Sequence, residues 1–243
     1  MSGLPRAVVL AAGQGSRLMP LTADCPKSML PIAGQPLLLR TLAQLEAAGF
    51  DAIDVVVGYR GDGISAALRA RPGVRVIVNE RYADDVNVLS LLLGLDGSDA
   101  PVLVVEADIA FDDRALPRVA AACADESVWV THGPFRPPQL GGVLATDASG
   151  KVTDLRYVPR FDPALRGYKK LLGLLYVGPR EAPSFRRRLA QAAAHTTRQY
   201  YMMPWVEHLP ELPCRELDLG DVPAISFNTP EEYAHCQSLF ATG

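Results

Sequence analysis

The sequence predicts an α/β fold: a mostly parallel sheet flanked by helices, with a smaller mixed-sheet lobe on the same core. Three observations carry this. Short apolar runs recur at 6–11, 52–57, 74–78 and 102–105, the length of buried strands. Helical spacing fills the first two intervals, and apolar strands alternating with helices imply a parallel sheet covered on both faces. After residue 126 the runs shorten and Gly/Pro turns separate them, which is the pattern of antiparallel pairing.

In chain order, 6–11 is a buried strand that runs into a glycine-containing turn. Residues 36–48 form a helix: Pro36 suits its first position, Leu38, Leu42 and Leu45 share a face, and Gly49 suits the C-terminal cap. A second strand covers 52–57, a short helix 63–70, a third strand 74–78 and a fourth 102–105. Shorter strands follow at 127–131, 142–146, 151–158 and 171–177. Residues 180–194 are helical, 211–219 a late strand and 230–240 a final helix, which Thr229 caps and Pro230 begins. With no internal repeat and no low-complexity linker, 1–243 is expected to be one domain. Residues 1–125 are its core, and 126–243 its second lobe and closing helix.

Composition narrows the function. Of 243 residues, 49% are apolar and 21% charged, which excludes disordered, collagenous and coiled-coil classes. No apolar run reaches the roughly 18 residues of a membrane helix, and the run 7–12 is too short for a signal-peptide core. The formal charge of −3 gives no basic footprint for nucleic acid. Cys25, Cys123, Cys214 and Cys236 are far apart and form no C-x-x-C pair, so neither a zinc site nor a disulfide framework is expected. A reducing cytoplasm is the simplest location. The charge is uneven: residues 151–200 carry 11 Lys/Arg against 3 Asp/Glu, an island in an acidic chain. Such a block suggests an anionic ligand. Arg186, Arg187 and Arg188 are adjacent and suit a solvated helix face, whereas Arg160, Lys169 and Lys170 are ligand candidates.

Two motifs carry the chemistry. After the first strand comes Leu10-Ala11-Ala12-Gly13-Gln14-Gly15-Ser16-Arg17-Leu18, whose glycines let backbone N–H groups approach a phosphate chain. It lacks the GK[ST] ending of a P-loop and the third glycine of a dinucleotide fingerprint. Arg17 and then Lys27, in Pro26-Lys27-Ser28-Met29-Leu30-Pro31-Ile32, supply the cations that a triphosphate needs. The second motif is Glu106-Ala107-Asp108 after the fourth strand. Alternation puts both carboxylates on one face at the strand's C-terminal edge, where open α/β sheets bind ligands and where oxygen ligands suit Mg²⁺.

These segments, with Ala47-Ala48-Gly49 and Val55-Val56-Val57-Gly58-Tyr59, resemble the nucleotidyltransferases that activate sugar 1-phosphates and phospho-alcohols. The resemblance covers the first 110 residues well and the rest more loosely. It implies a Rossmann-like sheet of the nucleotide-diphospho-sugar transferase type. It places the nucleoside triphosphate on Leu10, Ala11, Ala12, Gly13, Gly15 and Ser16. Arg17 falls on the departing phosphates, Lys27 on the α-phosphate and Asp108 on Mg²⁺, with Glu106 beside it. A second metal-binding Asp is expected near the last helix, but Asn228 stands there, with a carbonyl oxygen to offer and one charge fewer.

The stretch Val78-Asn79-Glu80-Arg81-Tyr82, then Asn87-Val88-Leu89-Ser90-Leu91, is similar to the phosphocholine and phosphonate cytidylyltransferases. It favours CTP, with Asn79, Asn87 and Ser90 near the nucleotide, although Asn87 and Ser90 also suit a helix start. Lys27 and Arg17 are then the catalytic groups of an in-line transfer of CMP to a small anionic phosphonate or phosphomonoester, with release of pyrophosphate. His132, Arg136, Arg160, Lys169 and Tyr201 are candidates to bind that acceptor. Tyr200, Tyr201 and Trp205 suit a core cluster better than a cage for a choline-like cation, and the basic block favours instead an acceptor with extra negative charge, such as a carboxylated phosphonate. The alternatives are a sugar 1-phosphate nucleotidyltransferase using another nucleotide and a catalytically silent binding subunit. Neither nucleic acid nor membrane is an expected partner, and a homodimer is left open.

Overall fold

A computed structural model describes residues 3–241. The elements in order are β1 (Arg6–Ala11), β2 (Pro31–Ile32), β3 (Gln35–Pro36), α1 (Leu37–Ala47), β4 (Ile53–Val57), α2 (Gly61–Leu68), β5 (Val74–Val78) and α3 (Val88–Leu95). Then come β6 (Val102–Glu106), β7 (Ile109–Phe111), α4 (Ala115–Ala122), β8 (Ser127–Pro134), β9 (Gly141–Thr146), β10 (Val152–Val158) and β11 (Lys169–Val177). The chain ends with α5 (Ala182–His195), α6 (Met203–Glu207), β12 (Cys214–Asp218), β13 (Ala224–Ser226) and α7 (Pro230–Phe240).

Nine strands form one sheet, running β10-β9-β11-β6-β1-β4-β5, with β8 bonded to β11 and β12. The expected parallel half is β6-β1-β4-β5. Of the later strands only β13 stands apart, in a two-stranded sheet with β7; β8 to β12 do not build a separate sheet. Through β11, antiparallel to β6, they continue the first one. Two apolar cores cover its faces, because alternate residues of β1 point to opposite sides: Ala7, Val9 and Ala11 enter one, Val8 the other.

Local chemistry explains the boundaries. Helix α1 ends as Gly49 predicts: Gly49 has φ +95°, its N–H donates to Glu46 O at 3.0 Å, and the Phe50 N–H to Leu45 O at 3.1 Å. This is a Schellman ending, closed by the buried Phe50. Helix α7 starts as Thr229 and Pro230 predict, with a capping box between Thr229 and Glu232. Helix α4 was not expected, and α3 only as the alternative reading of Asn87 and Ser90 as a helix start. The core of α3, Leu91 to Leu95, is apolar all round and carries little amphipathic signal. It lies close to the sheet because Gly94 has no side chain: a Cβ there would sit 2.4 Å from Val8 Cγ1. No described helix is long and apolar enough to cross a membrane, and all four cysteines are free.

Candidate active site

A cleft of about 300 Å³ opens where the C-terminal ends of β1 and β6 lie side by side. Ligands bind at this edge of an open sheet because loops there diverge. Leu10, Ala11, Ala12, Gly13, Gly15, Ser16, Arg17, Lys27, Asn87, Ser90, Glu106, Asp108 and Asn228 all line it, so most of the expected nucleotide and metal residues meet in one place.

The loop after β1 is shaped by glycine. Gly15 has φ +65°, and a Cβ on it would lie 2.9 Å from Lys27 Cβ and 3.3 Å from Thr22 Cγ2. Only glycine lets the buried Lys27 pass so near the loop. Thr22 Oγ1 donates to Gly15 O at 2.9 Å, and the Tyr59 N–H, just beyond β4, donates to Ala12 O at 3.1 Å. Gly13 faces open space.

The charged groups converge. Lys27 Nζ is 2.7 Å from Asp108 Oδ2 and 3.1 Å from Asn228 Oδ1, and lies 5.1 Å from the centre of the Phe227 ring. Arg17 Nη2 donates to the same Asn228 oxygen at 2.9 Å. The pairing of β13 with β7, Ser226 opposite Ile109, brings Asn228 next to Asp108 from the far end of the chain. Asp108 Oδ1 is buried and has no hydrogen-bond partner among the described residues.

Glu106 is pressed against β11. Gly173, with φ +77° at an irregularity in that strand, leaves the room: a Cβ there would be 2.6 Å from Glu106 Oε2. Burial, and next the charge of Asp108, push the Glu106 carboxyl up to about 7, against the pull of Lys170 and a hydrogen bond from Tyr201. Burial likewise pushes the Lys170 ammonium below its ordinary value; its Nζ donates to Leu171 O at 3.0 Å and Gly142 O at 3.3 Å. Gly173 was not foreseen, because nothing in the sequence distinguishes a bulge glycine from a turn glycine.

A divalent cation fits this acidic corner. No three His, Cys, Asp or Glu side chains cluster among the described residues. Asp108, with its unpartnered oxygen and Glu106 beside it, is nonetheless a carboxylate through which Mg²⁺ would be held together with substrate phosphates.

The rest of the expected set divides. Asn79 does not reach the cleft: it is buried, its Nδ2 bonded to Asp85 Oδ2 and Ser90 Oγ, both at 2.9 Å. Asp85, which was not foreseen, caps α3 by accepting from the Leu89 and Ser90 N–H groups at 3.0 and 2.8 Å. Asn87 is thereby freed to accept from the Tyr201 N–H at 2.8 Å, which ties α3 to the loop before α6.

The acceptor candidates lie elsewhere. His132 Nε2 contacts Val222 O at 2.9 Å, Arg136 and Arg160 are exposed outside the cleft, and Lys169 is neutralised by Glu216 at 2.7 Å and Asp218 at 3.2 Å. Others of the basic block are paired too, Arg156 with Asp154, Arg186 with Asp99, Arg188 with Glu211 and Arg198 with Asp84. Tyr201 and Trp205 are core residues around Trp129, as expected, and only the Tyr201 hydroxyl reaches the site, at Glu106. Tyr200 lines the cleft, stacked on Tyr157 with ring centres 4.6 Å apart.

Comparison with known proteins follows this geometry. Residues 7–211 match the family described as the MobA-like NTP transferase domain. The CMP-5'-(3-aminopropyl)phosphonate synthase of Streptomyces rubellomurinus is 35% identical over 152 residues, 61% of this chain and 24% of that protein, so the chain spans less than half of that relative. A UTP–glucose-1-phosphate uridylyltransferase of Haloferax volcanii is 51% identical over 163 residues, 65% of this chain and 67% of that protein. The solved CTP:phosphocholine cytidylyltransferase of Streptococcus pneumoniae superposes with a TM-score of 0.84 over 97% of this chain and 99% of that one, at 21% identity, a likeness of fold.

Proposed function

The chain belongs to the MobA-like NTP transferase family, and we propose that it transfers CMP from CTP to a small phosphonate or phosphomonoester bearing an ammonium group, with release of pyrophosphate. The observation that carries the transfer is the convergence of the Gly13–Gly15 loop, Arg17, Lys27 and Asp108 on one cleft. Two anionic reactants must meet there, and the acceptor oxygen is already ionised near neutral pH, so no general base is needed. The task is positioning and charge neutralisation. The loop N–H groups hold the phosphates. Lys27, fixed by Asp108, faces the α-phosphorus at which the oxygen attacks in line. Arg17 stabilises the departing pyrophosphate. Mg²⁺ held through Asp108 would supply further neutralisation of phosphate charge.

The ammonium on the acceptor is supported by what the cleft offers beyond the phosphates. Glu106 and the exposed face of Tyr200 suit a cation, and in the basic block that would suit an extra negative charge on the acceptor, Arg156, Lys169, Arg186, Arg188 and Arg198 are paired with carboxylates. The relatives named for aminopropyl phosphonate and phosphocholine fit this reading. The uridylyltransferase relative favours a second one, UTP with glucose 1-phosphate. Phosphorus NMR of the full chain with Mg²⁺, CTP or UTP, and phosphocholine, 2-aminoethylphosphonate, 3-aminopropylphosphonate or glucose 1-phosphate separates them. A CMP-linked diester with an amine-bearing acceptor is the expected product. A UDP-sugar signal alone would replace the first reading with the second.

A further inference from the structure

The chain from Ala12 to Lys27 holds the phosphate-binding loop, yet it contains neither a strand nor an α-helix. Backbone without such ladders keeps one shape only where other groups hold it. Tyr59, just beyond β4, holds it at both ends without lining the cleft itself. At the near end its N–H donates to Ala12 O at 3.1 Å, which extends the pairing of β1 with β4. That approach needs Gly58: a Cβ there would lie 2.9 Å from Ala12 O and 2.4 Å from Tyr82 Cβ. At the far end the Tyr59 hydroxyl stands 2.7 Å from Ala23 O and 3.1 Å from Thr22 O, and its one proton serves both. Thr22 is fully buried and passes the tie on: its Oγ1 donates to Gly15 O at 2.9 Å, and Gly15 is the glycine beside which Lys27 packs. Arg60 holds the same arm. Its Nη2 donates to Ala23 O at 3.0 Å and to Asp24 Oδ1 at 2.9 Å, from a left-handed backbone with φ +52°. A residue with a Cβ keeps that conformation only where its surroundings impose it, and such positions gather at functional sites.

We propose that Tyr59 is a positioning residue for the phosphate-binding loop: through Thr22 and Ala23 its hydroxyl keeps the loop N–H groups and Lys27 arranged before a nucleotide arrives. The proposal rests on the reading of the cleft as a triphosphate site, and on neither the base nor the acceptor. Donors aimed in advance at phosphate oxygens need no ordering when the ligand binds, so the hydroxyl is felt as nucleotide affinity. The ring has a separate task. It meets Tyr82 edge-on, with centres 6.3 Å apart, a contact that a phenylalanine keeps. The backbone bond to Ala12 is likewise untouched by that change. Tyr59→Phe therefore releases the far arm and leaves the near one in place. Tyr176 supplies the comparison. Its hydroxyl also donates to a backbone carbonyl, Ala124 O at 2.5 Å, but Tyr176 sits opposite Leu103, at the other end of β6 from the cleft.

The test is calorimetry of the full chain with Mg²⁺ and α,β-methylene CTP or, separately, α,β-methylene UTP, joined to amide hydrogen exchange with and without the analogue. Tyr59→Phe is expected to weaken nucleotide binding about fivefold, the scale of one net hydrogen bond. In the free chain it should speed exchange within residues 13–27, and the difference should close once the analogue saturates the site. Tyr176→Phe should keep the wild-type affinity. A Tyr59→Phe chain that binds as the wild type does overturns the proposal and leaves the transferase reading intact. So does exchange that rises equally across the sheet, or a Tyr176→Phe chain weakened to the same degree, since either would make the hydroxyl a support of the fold at large. A wild type that binds neither analogue overturns the triphosphate reading itself. The fold-change is read with whichever analogue binds, so the choice of base does not enter.

Discussion

Lys27 and Lys169 look alike at first: each is a lysine with its ammonium 2.7 Å from a carboxylate. Their surroundings differ. Around Lys169 every oxygen is used. Glu216 accepts also from Thr131 Oγ1 at 2.6 Å, and Asp218 also from the Gly133 and Gly220 N–H groups at 3.2 and 2.8 Å. Around Lys27 the set is open: Asp108 keeps a buried oxygen without a partner among the described residues, Asn228 accepts with an uncharged carbonyl, and the cleft begins there. A closed network holds strands together, and an incomplete one at a cleft leaves groups able to meet a ligand.

The largest expected effect separates the two lysines. Lys27→Ala should lower kcat by about 10²–10³-fold, the scale of losing one preorganised charge-stabilising donor. Lys169→Ala should leave kcat nearly unchanged and instead lower the unfolding free energy by about 3 kcal/mol, because it strands the buried Glu216. Pyrophosphate release and denaturant unfolding on both variants check this. An active Lys27→Ala enzyme would sink the catalytic assignment, and an inactive but stable Lys169→Ala would erase the distinction.

Glu106 sharpens the comparison, since an incomplete site should be felt by the fold. Its carboxyl is raised from 4.5 to about 7, by burial first. The folded chain therefore holds that proton more tightly than the unfolded one. The stability it contributes is full below the unfolded value and is lost as pH rises through about 7. Glu106→Gln, neutral throughout, should gain on the wild type as the solution is made alkaline. The gain between about pH 4.5 and about pH 8 is on the order of 2–3 kcal/mol. A stability difference that is flat with pH would mean that Glu106 is ionised in both states.

The nucleotide half was legible because its chemistry is contiguous. The turn after β1, with Arg17 and then Lys27, is a local pattern, and Gly15 there takes the left-handed backbone and close approach to Lys27 that only glycine allows. The same holds for Gly49 and for the Thr229 cap, where a few neighbouring residues decide the geometry. The second half was legible as strands and poorly as a site. A count of charges along 151–200 cannot show that Lys169 meets Glu216 or that Arg188 meets Glu211, since these partners are 47 and 23 positions apart. Asn79 was misplaced for a related reason. Asp85 took over the capping of α3, which turned Asn79 inward and left Asn87 to hold the Tyr201 loop.

Tyr200 is the residue by which the open region would select an acceptor. Its ring lines the cleft and is backed by Tyr157. Tyr200→Leu should raise KM for 2-aminoethylphosphonate about fivefold, the value of one cation–π contact at a partly exposed site. KM for ethylphosphonate, which has no ammonium, should not move. Equal rises for both would make Tyr200 a wall of the cleft and not a cation receptor.

The smallest expected effect is the sharpest check on the closed region. Arg136 and Arg160 are exposed, make no side-chain ion pair among the described residues, and belong to the face that charge alone marked for the acceptor. If the acceptor binds between Glu106 and Tyr200, these arginines act on it only through screened solvent, where interactions beyond about 10 Å are weak at ordinary salt. The double variant Arg136→Ala/Arg160→Ala should then keep the acceptor KM within about twofold at physiological ionic strength, with somewhat more change at low salt. A tenfold rise that persists at high salt would mean direct contact. It would move the acceptor out of the cleft and onto the basic lobe, and the ammonium on the acceptor would lose its support.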